Sequence, residues 1–251
     1  MSGHNKWSTI KRKKGVADAK RGQAFTRLAR EIAIAAREGG SDMESNFKLR
    51  LAFERARAEN MPKDNIERAI KRGTGEDKDG LIIERITYEG YASNGVAVLI
   101  DCLTENRNRT LSEIRHVLTR SGGNTAEVGS VSWQFKHISY FSIPSEKANF
   151  DKVFELAVEC EAEDITNDEG YIEIFAPVES FKEISDRLRE AGFEPDEADL
   201  RFLPKQELGL EKDKTLKVMQ VIEDLEDLDD VQSVYSNLEI SEEVLASLES
   251  E

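Results

Sequence analysis

The sequence predicts a multi-domain α+β protein: an N-terminal three-helix domain followed by two ferredoxin-like α+β units, one inserted in the other. Three observations lead there. Apolar residues recur at helical spacing from about Arg21 to Gly73, and runs rich in Ile, Val and Tyr follow, with turn residues between them. The charge balance reverses at the same place. Strands and helices then alternate through two units. A last helix and strand cannot bury both faces alone, so they return to the first α+β unit and complete it. The boundaries that result are a basic arm over 1–20, a helical domain over 21–76, an α+β domain from 77–137 plus 206–243, an inserted unit over 138–205 and an acidic tail over 244–251.

Each element has its own signal. The arm, MSGHNKWSTIKRKKGVADAK, sets Trp7, Ile10 and Val16 among lysines with no sustained apolar period. Between Arg21 and Glu38, Phe25, Leu28, Ala29, Ile32 and Ala36 share one helical face, while Arg27, Arg30 and Arg37 run along another with Ile34 between them. Gly39 and Gly40 stop this helix. A second helix is expected from about Asp42 to Asn60 behind a Ser41-x-x-Glu44 cap, and a third after Pro62 behind an Asp64-x-x-Glu67 cap, with Gly73 as its stop. "LIIERITYEGY" and "NGVAVLIDCLT" read as a strand pair. "NRNRTLSEIRHVLTRSGG" reads as a helix with Thr110-x-x-Glu113 as its capping box, and "SVSWQF" as the next strand. The inserted unit runs through "ISYFSIP", a helix from about Asn149 to Cys160, the strand "GYIEIFAP", the helix "SFKEISDRLREAG" and the strand "ADLRFLP". A helix from Lys214 to Leu225 and the strand "VQSVYSNLEI" close the pattern.

The formal net charge is -15, yet the chain through Gly75 holds 18 Lys and Arg against nine Asp and Glu, a balance of +9, and the remainder 17 against 41, a balance of -24. Attraction to a polyanion is screened within about 8–10 Å, so local charge decides it, and the pattern reads as an anion-binding module joined to an acidic body. No run of eighteen apolar residues occurs, so no membrane span is expected. Ile10 is followed by Lys11, Arg12, Lys13 and Lys14 where a secretory signal would carry an apolar core, which predicts a cytoplasmic protein. Cys102 and Cys160 sit in apolar stretches as small hydrophobes, and His4, His116 and His137 are scattered, so no metal site or cofactor is expected. Gly73, Gly75 and Gly80 miss the dinucleotide spacing, and there is neither a P-loop nor a nucleophile elbow. "EDLEDLDD" lacks the central glycine of a calcium loop and reads as a charged helix face and turn. A non-enzyme is predicted.

The positive signals are the arm, the arginine stripe and one loop. Lys6, Lys11, Arg12, Lys13, Lys14, Lys20 and Arg21, with Arg27, Arg30 and Arg37, are candidate phosphate contacts. Trp7 has two readings, stacking on a base or tucking into a groove of its own protein. "ENRNRT" places Arg107 and Arg109 just before a helix N-terminus, where backbone N–H groups favour anions; these arginines either grip phosphates or pair with the protein's own acids.

"GHNKWSTIKRKKGVADAKRGQAFTRLAREIAIAAREGG", "NMPKDNIERAIKRG", "YEGYASNGVAVLIDCLTENRNRTLSEIR" and "GSVSWQF" together closely resemble the YebC/PmpR family, which includes a mitochondrial translational activator of cytochrome oxidase. The resemblance runs nearly end to end. It implies three domains, a helical one and two α+β ones with one interrupting the other, in a bacterial cytoplasmic protein described as a DNA-binding transcriptional regulator. Some members are linked to the ribosome and to translation of proline-rich stretches, so a translation factor contacting ribosomal RNA is the alternative. A scaffold whose acidic cleft meets a basic protein is a third reading. DNA is the expected partner, with no membrane, and a monomer is favoured. Two departures stand out: Ala92-Ser93 where many relatives have Gly-Pro, and Thr125-Ala126 where many have Leu-Gly.

Overall fold

The computed structural model describes residues 18–76, 83–168 and 170–249. They form two compact units, one running through Gln134 and resuming at Pro204, the other Phe135–Leu203.

Helices α1 (Asp18–Gly39), α2 (Phe47–Ala58) and α3 (Lys63–Gly73) come first. Ile32, Ala35 and Ala36 of α1 pack on Leu49, Ala52 and Ala56 of α2 and on Ile66 and Ala69 of α3. The α1–α3 crossing is close enough that a Cβ on Gly73 would stand 2.2 Å from the Ala33 carbonyl oxygen, so only glycine fits there. The caps differ from the expected ones. Asn46, not Ser41, caps α2: its Oδ1 accepts the Leu49 N–H at 3.1 Å while its Nδ2 donates to the Ala35 and Gly40 carbonyls, each at 2.8 Å. One buried amide thereby satisfies the start of α2 and the end of α1 together. Helix α3 opens behind Pro62 with no side-chain cap, so the Asp64-x-x-Glu67 box is not formed.

Strands β1 (Glu84–Tyr91) and β2 (Ala97–Thr104), helix α4 (Arg107–Arg120) and strand β3 (Asn124–Ala126) follow. The second unit runs β4 (Phe135–Pro144), α5 (Phe150–Glu159), β5 (Asp164–Asp168), β6 (Tyr171–Pro177), α6 (Phe181–Glu190) and β7 (Glu197–Pro204). The chain then completes the first unit with α7 (Lys212–Glu226), β8 (Val231–Ser236) and α8 (Glu242–Glu249). Thus 244–251, expected as an acidic tail, falls largely within a helix whose Val244 and Leu245 are buried in the first unit's core.

The first sheet has the order β3-β1-β2-β8. β1 pairs antiparallel with β2 from Glu84↔Thr104 to Tyr91↔Ala97, and β2 with β8 through a bulge at Asp101/Cys102. Val98, Ile100 and Cys102 of β2 face Ile114 and Leu118 of α4 and Val218, Ile222 and Leu225 of α7. Side-chain alternation turns Leu103 to the opposite face, where it packs with Ile83 and with Ala33 and Ile34 of α1. The helical region and this sheet thereby fall within one compact unit.

The second unit carries the β-α-β-β-α-β order of a split βαβ fold, with sheet order β5-β6-β4-β7. Phe141 stacks on Phe181 of α6 at 5.1 Å, and on the other face of β4 Tyr140 donates to Glu173 at 2.5 Å beneath the Arg201 guanidinium, 3.7 Å from the Tyr140 ring centre. The short polar strands β3 and β5 carry no apolar period, which is why the sequence does not announce them.

Candidate nucleic-acid interface

Lys6, Trp7, Lys11, Arg12, Lys13 and Lys14 lie outside the described residues. Lys20 and Arg21 fall in the first turn of α1. The rest of the arginine stripe divides sharply.

Arg27 and Arg30, expected to meet phosphates, are turned inward. Arg27 Nη2 donates to the Glu226 carbonyl and, at 3.2 Å, to that of Leu228. Arg30 Nη1 donates to the Asp229 carbonyl at 2.5 Å, and Gln23 reaches the Asp227 carbonyl at 3.3 Å. These oxygens belong to the last residue of α7 and the turn after it, where carbonyls lack helical partners and the helix dipole is negative. Cations belong there.

Asp230 is the centre of this arrangement. Its side chain is 1% exposed and forms ion pairs with Arg30 Nη2 at 3.0 Å and Arg109 Nη2 at 2.7 Å. It also accepts from Thr110 Oγ1 at 2.6 Å and Thr104 Oγ1 at 3.1 Å, while its own carbonyl accepts the Leu103 N–H at 2.9 Å. Burial pushes the carboxyl pKa up, but the bonds from Arg109 and Thr110 and the charge of Arg30 outweigh it and hold the group below the usual carboxylate range. Thr110 is accordingly no cap: α4 starts earlier, behind Asn106, whose Oδ1 accepts the Arg109 N–H at 3.1 Å. Arg107 pairs with Glu84, at 2.5 Å and half in solvent. For both loop arginines the structure displays the pairing with the protein's own acids. Part of the acidic surplus in "EDLEDLDD" thus acquires a role, as the seat of α1.

The outward cations are others. Arg37 ends the stripe exposed, and Arg68 and Lys71 project from α3 opposite buried Ile66 and Ala69; among the described residues these three make no ion pair. Arg57 is also exposed, its guanidinium 5.8 Å over the Phe53 ring. Arg57 points outward as its place on the second helix predicts, whereas Arg68 and Lys71 join the candidates only in the structure. Their signal was present in α3, where the apolar period leaves 68 and 71 on the outer face.

A second exposed feature follows β3. Of "SVSWQF", expected as a strand, residues 130–134 form a bend and a short 3₁₀ segment, and only Phe135 enters β4. The reason is Glu89 of β1, a buried carboxylate that accepts the N–H groups of Gly129 at 2.7 Å, Val131 at 2.6 Å and Ser132 at 2.9 Å. Donors that a strand would spend on a ladder are drawn onto one side chain. Burial raises the Glu89 pKa, and these three bonds more than reverse it, so the group stays ionised below the usual range. The two departures from the family pattern are accommodated nearby: Ala92 is buried at the β1–β2 turn, and Thr125 and Ala126 pair with Gly90 and Glu89.

Among the described residues no helix is long and apolar enough to cross a membrane, and no group of three or more His, Cys, Asp or Glu is placed to hold a metal ion. What the elements define is an α+β protein in which a helical region is fastened by arginines to one four-stranded sheet, and a second α+β unit interrupts that sheet's chain. Residues 5–76 match the N-terminal domain of the TACO1/YebC proteins, and residues 83–238 match their second and third domains. The chain belongs to the TACO1/YebC family. It is 52% identical to a "probable transcriptional regulatory protein" of Borrelia turicatae over 97% of this chain and 100% of that one, and 50% identical to one of Geotalea uraniireducens over 97% and 98%. A crystal structure of a conserved hypothetical protein from Aquifex aeolicus superposes with a TM-score of 0.79 at 41% identity, covering 91% of this chain and 94% of that one. The relatives' names describe regulators of transcription, not enzymes.

Proposed function

We propose that the protein is a nucleic-acid-binding regulator that acts on DNA to adjust transcription, using the basic arm with Lys20, Arg21 and Arg37 and the outer face of α3. The observation that carries this reading is the sorting of the cations. Arg27 and Arg30 are consumed by the seat on α7, while Arg37, Arg68 and Lys71 stay exposed on the same helical region that carries the arm and, among the described residues, make no ion pair. Residues 1–17 contribute five Lys and Arg and no acid to the +9 balance, so arm and helices present cations from one end of the chain. Phosphate contacts of this kind position a protein on a duplex and carry little sequence information. Weak sequence preference is expected, because no recognition helix with a base-reading cluster of Asn, Gln or Arg stands out in the sequence.

The test is the salt dependence of duplex binding. With roughly four to six phosphate contacts, log affinity falls against log salt with a slope of about -4 to -5. Lys11/Lys13/Lys14→Ala brings the slope about three units nearer zero; a flat response in the parent protein overturns the reading. Crosslinking in cells with recovery of both DNA and RNA then identifies the partner. Discrete promoters support transcription, and a few ribosomal RNA positions move the function to translation.

A further inference from the structure

The loop between β3 and β4 holds an aromatic side chain in the open. Trp133 is 65% exposed and Val128 92%. A large apolar group left in water is a cost, and here the surrounding bonds fix it there. The indole Nε1–H donates to the Ser130 carbonyl at 2.9 Å, which sets the ring's orientation. Gln134 Nε2 donates to the Tyr91 hydroxyl at 3.2 Å, and beneath the loop Glu89 gathers its three backbone N–H groups. Gly129, with φ +88°, permits the turn that brings those groups onto one carboxylate. An exposed aromatic that is already oriented loses little conformational entropy on binding, which is the condition of a recognition platform.

Two features choose the occupant. A tryptophan that anchors in a protein groove offers its N–H to the partner, whereas this one has spent its N–H internally and offers only its ring faces. Beside it, the exposed Lys205 ammonium is held on the Trp133 carbonyl at 2.7 Å. A π face next to a cation is the pairing that takes an unstacked base together with its phosphate.

We propose that Trp133 is a stacking platform for an unpaired nucleobase, with Lys205 as the adjoining phosphate contact, so that this loop gives the protein a preference for single-stranded nucleic acid. The inference rests on the nucleic-acid reading above but makes a different demand. Arm contacts are electrostatic and independent of strandedness, while a stack requires a base free of its helix and responds weakly to salt.

The experiment compares the full-length protein with Trp133→Ala and Trp133→Phe on single-stranded oligothymidine and oligouridine of about 15 nucleotides and on a duplex of equal length, across salt concentration. Trp133→Ala is expected to weaken single-strand binding about 5- to 150-fold, the span set by loss of one base–aromatic stack, at every salt concentration and with the slope unchanged. Duplex binding stays as it was, and Trp133→Phe recovers most of the loss. Unaltered single-strand affinity in Trp133→Ala overturns the proposal and leaves a protein groove as the loop's partner. Equal losses on single strand and duplex overturn it as well. A parent protein that binds duplex with a steep salt slope while Trp133→Ala changes nothing defeats this inference alone. A parent that binds neither probe defeats the functional reading beneath it. Trp133 is at the surface, so an unchanged melting temperature serves as the folding control.

Discussion

Asp230 and Glu89 are both buried carboxylates of the same unit, and they are satisfied in opposite ways. Asp230 is met by two guanidiniums and two hydroxyls drawn from α1, β2 and α4. Glu89 is met by backbone N–H groups from one short loop. The first joins segments about 200 residues apart in the chain, as the Arg30–Asp230 separation shows; the second reaches from Glu89 to one short loop about forty residues on. Charged partners therefore hold the helical region in place, and dipolar ones hold an exposed loop in shape. One carboxylate determines where the basic surface is seated, and the other what the loop presents.

Breaking the first should cost most. Asp230→Ala leaves the Arg30 guanidinium, on a side chain 12% exposed, without its ion partner. Removing one member of a buried pair costs about 3–5 kcal/mol, read as a lower urea midpoint. The loss should appear first in α1, as faster amide exchange there than in β1 and β2. If exchange rises uniformly, the Asp230 cluster is not what fastens α1. The same group sets an acid limit. Its folded pKa lies below the ordinary value, so its stabilisation is complete above the unfolded aspartate pKa of about 3.9 and is lost as pH falls through the lower folded value. Urea midpoints of the parent protein should therefore drop steeply below about pH 4, and those of Asp230→Asn less so.

Breaking the second is expected to cost less and to act locally. Glu89→Gln keeps the shape, removes the charge and turns an amide NH2 toward backbone donors, a loss of about 1–3 kcal/mol. Because the loop alone depends on it, the larger effect should be on Trp133. Its fluorescence anisotropy should fall, and single-strand binding should weaken as in Trp133→Ala, while the duplex salt slope is retained. A variant that unfolds the sheet as well would erase the distinction between the two carboxylates.

The comparison also explains what could be read beforehand. The strand pair, the inserted unit and the face of α1 made by Ile32 and Ala36 follow from period alone, because burial of apolar area is what period records. The direction of Arg27 and Arg30 does not, since an arginine serves equally as a phosphate contact or a buried clamp. The clue was Ile34 in the middle of the stripe: an apolar residue 5% exposed among arginines marks a second buried face, and it packs with Ile83 and Leu103. "SVSWQF" misleads for the converse reason. Val131, Trp133 and Phe135 alternate as in a strand, but Glu89, about forty residues earlier, takes the donors, and no local pattern reports a partner that distant.

The smallest effect tests burial itself. Arg107 and Arg109 stand two residues apart at the start of α4, each paired with a carboxylate, and only the surroundings differ. Arg107 and Glu84 are 63% and 44% exposed, whereas Asp230 is 1% exposed. Water screens the first pair and both side chains lose rotamer freedom in forming it, so Glu84→Gln should change stability by about 1 kcal/mol at most, and by less at high salt. Asp230→Asn, which also removes one carboxylate charge facing an α4 arginine, should cost several times more and show little salt dependence. Equal losses in the two variants would mean that the arginine contacts, rather than the burial of Asp230, set the energy, and the seat of α1 would then have to be sought in the α7 carbonyls that Arg27 reaches.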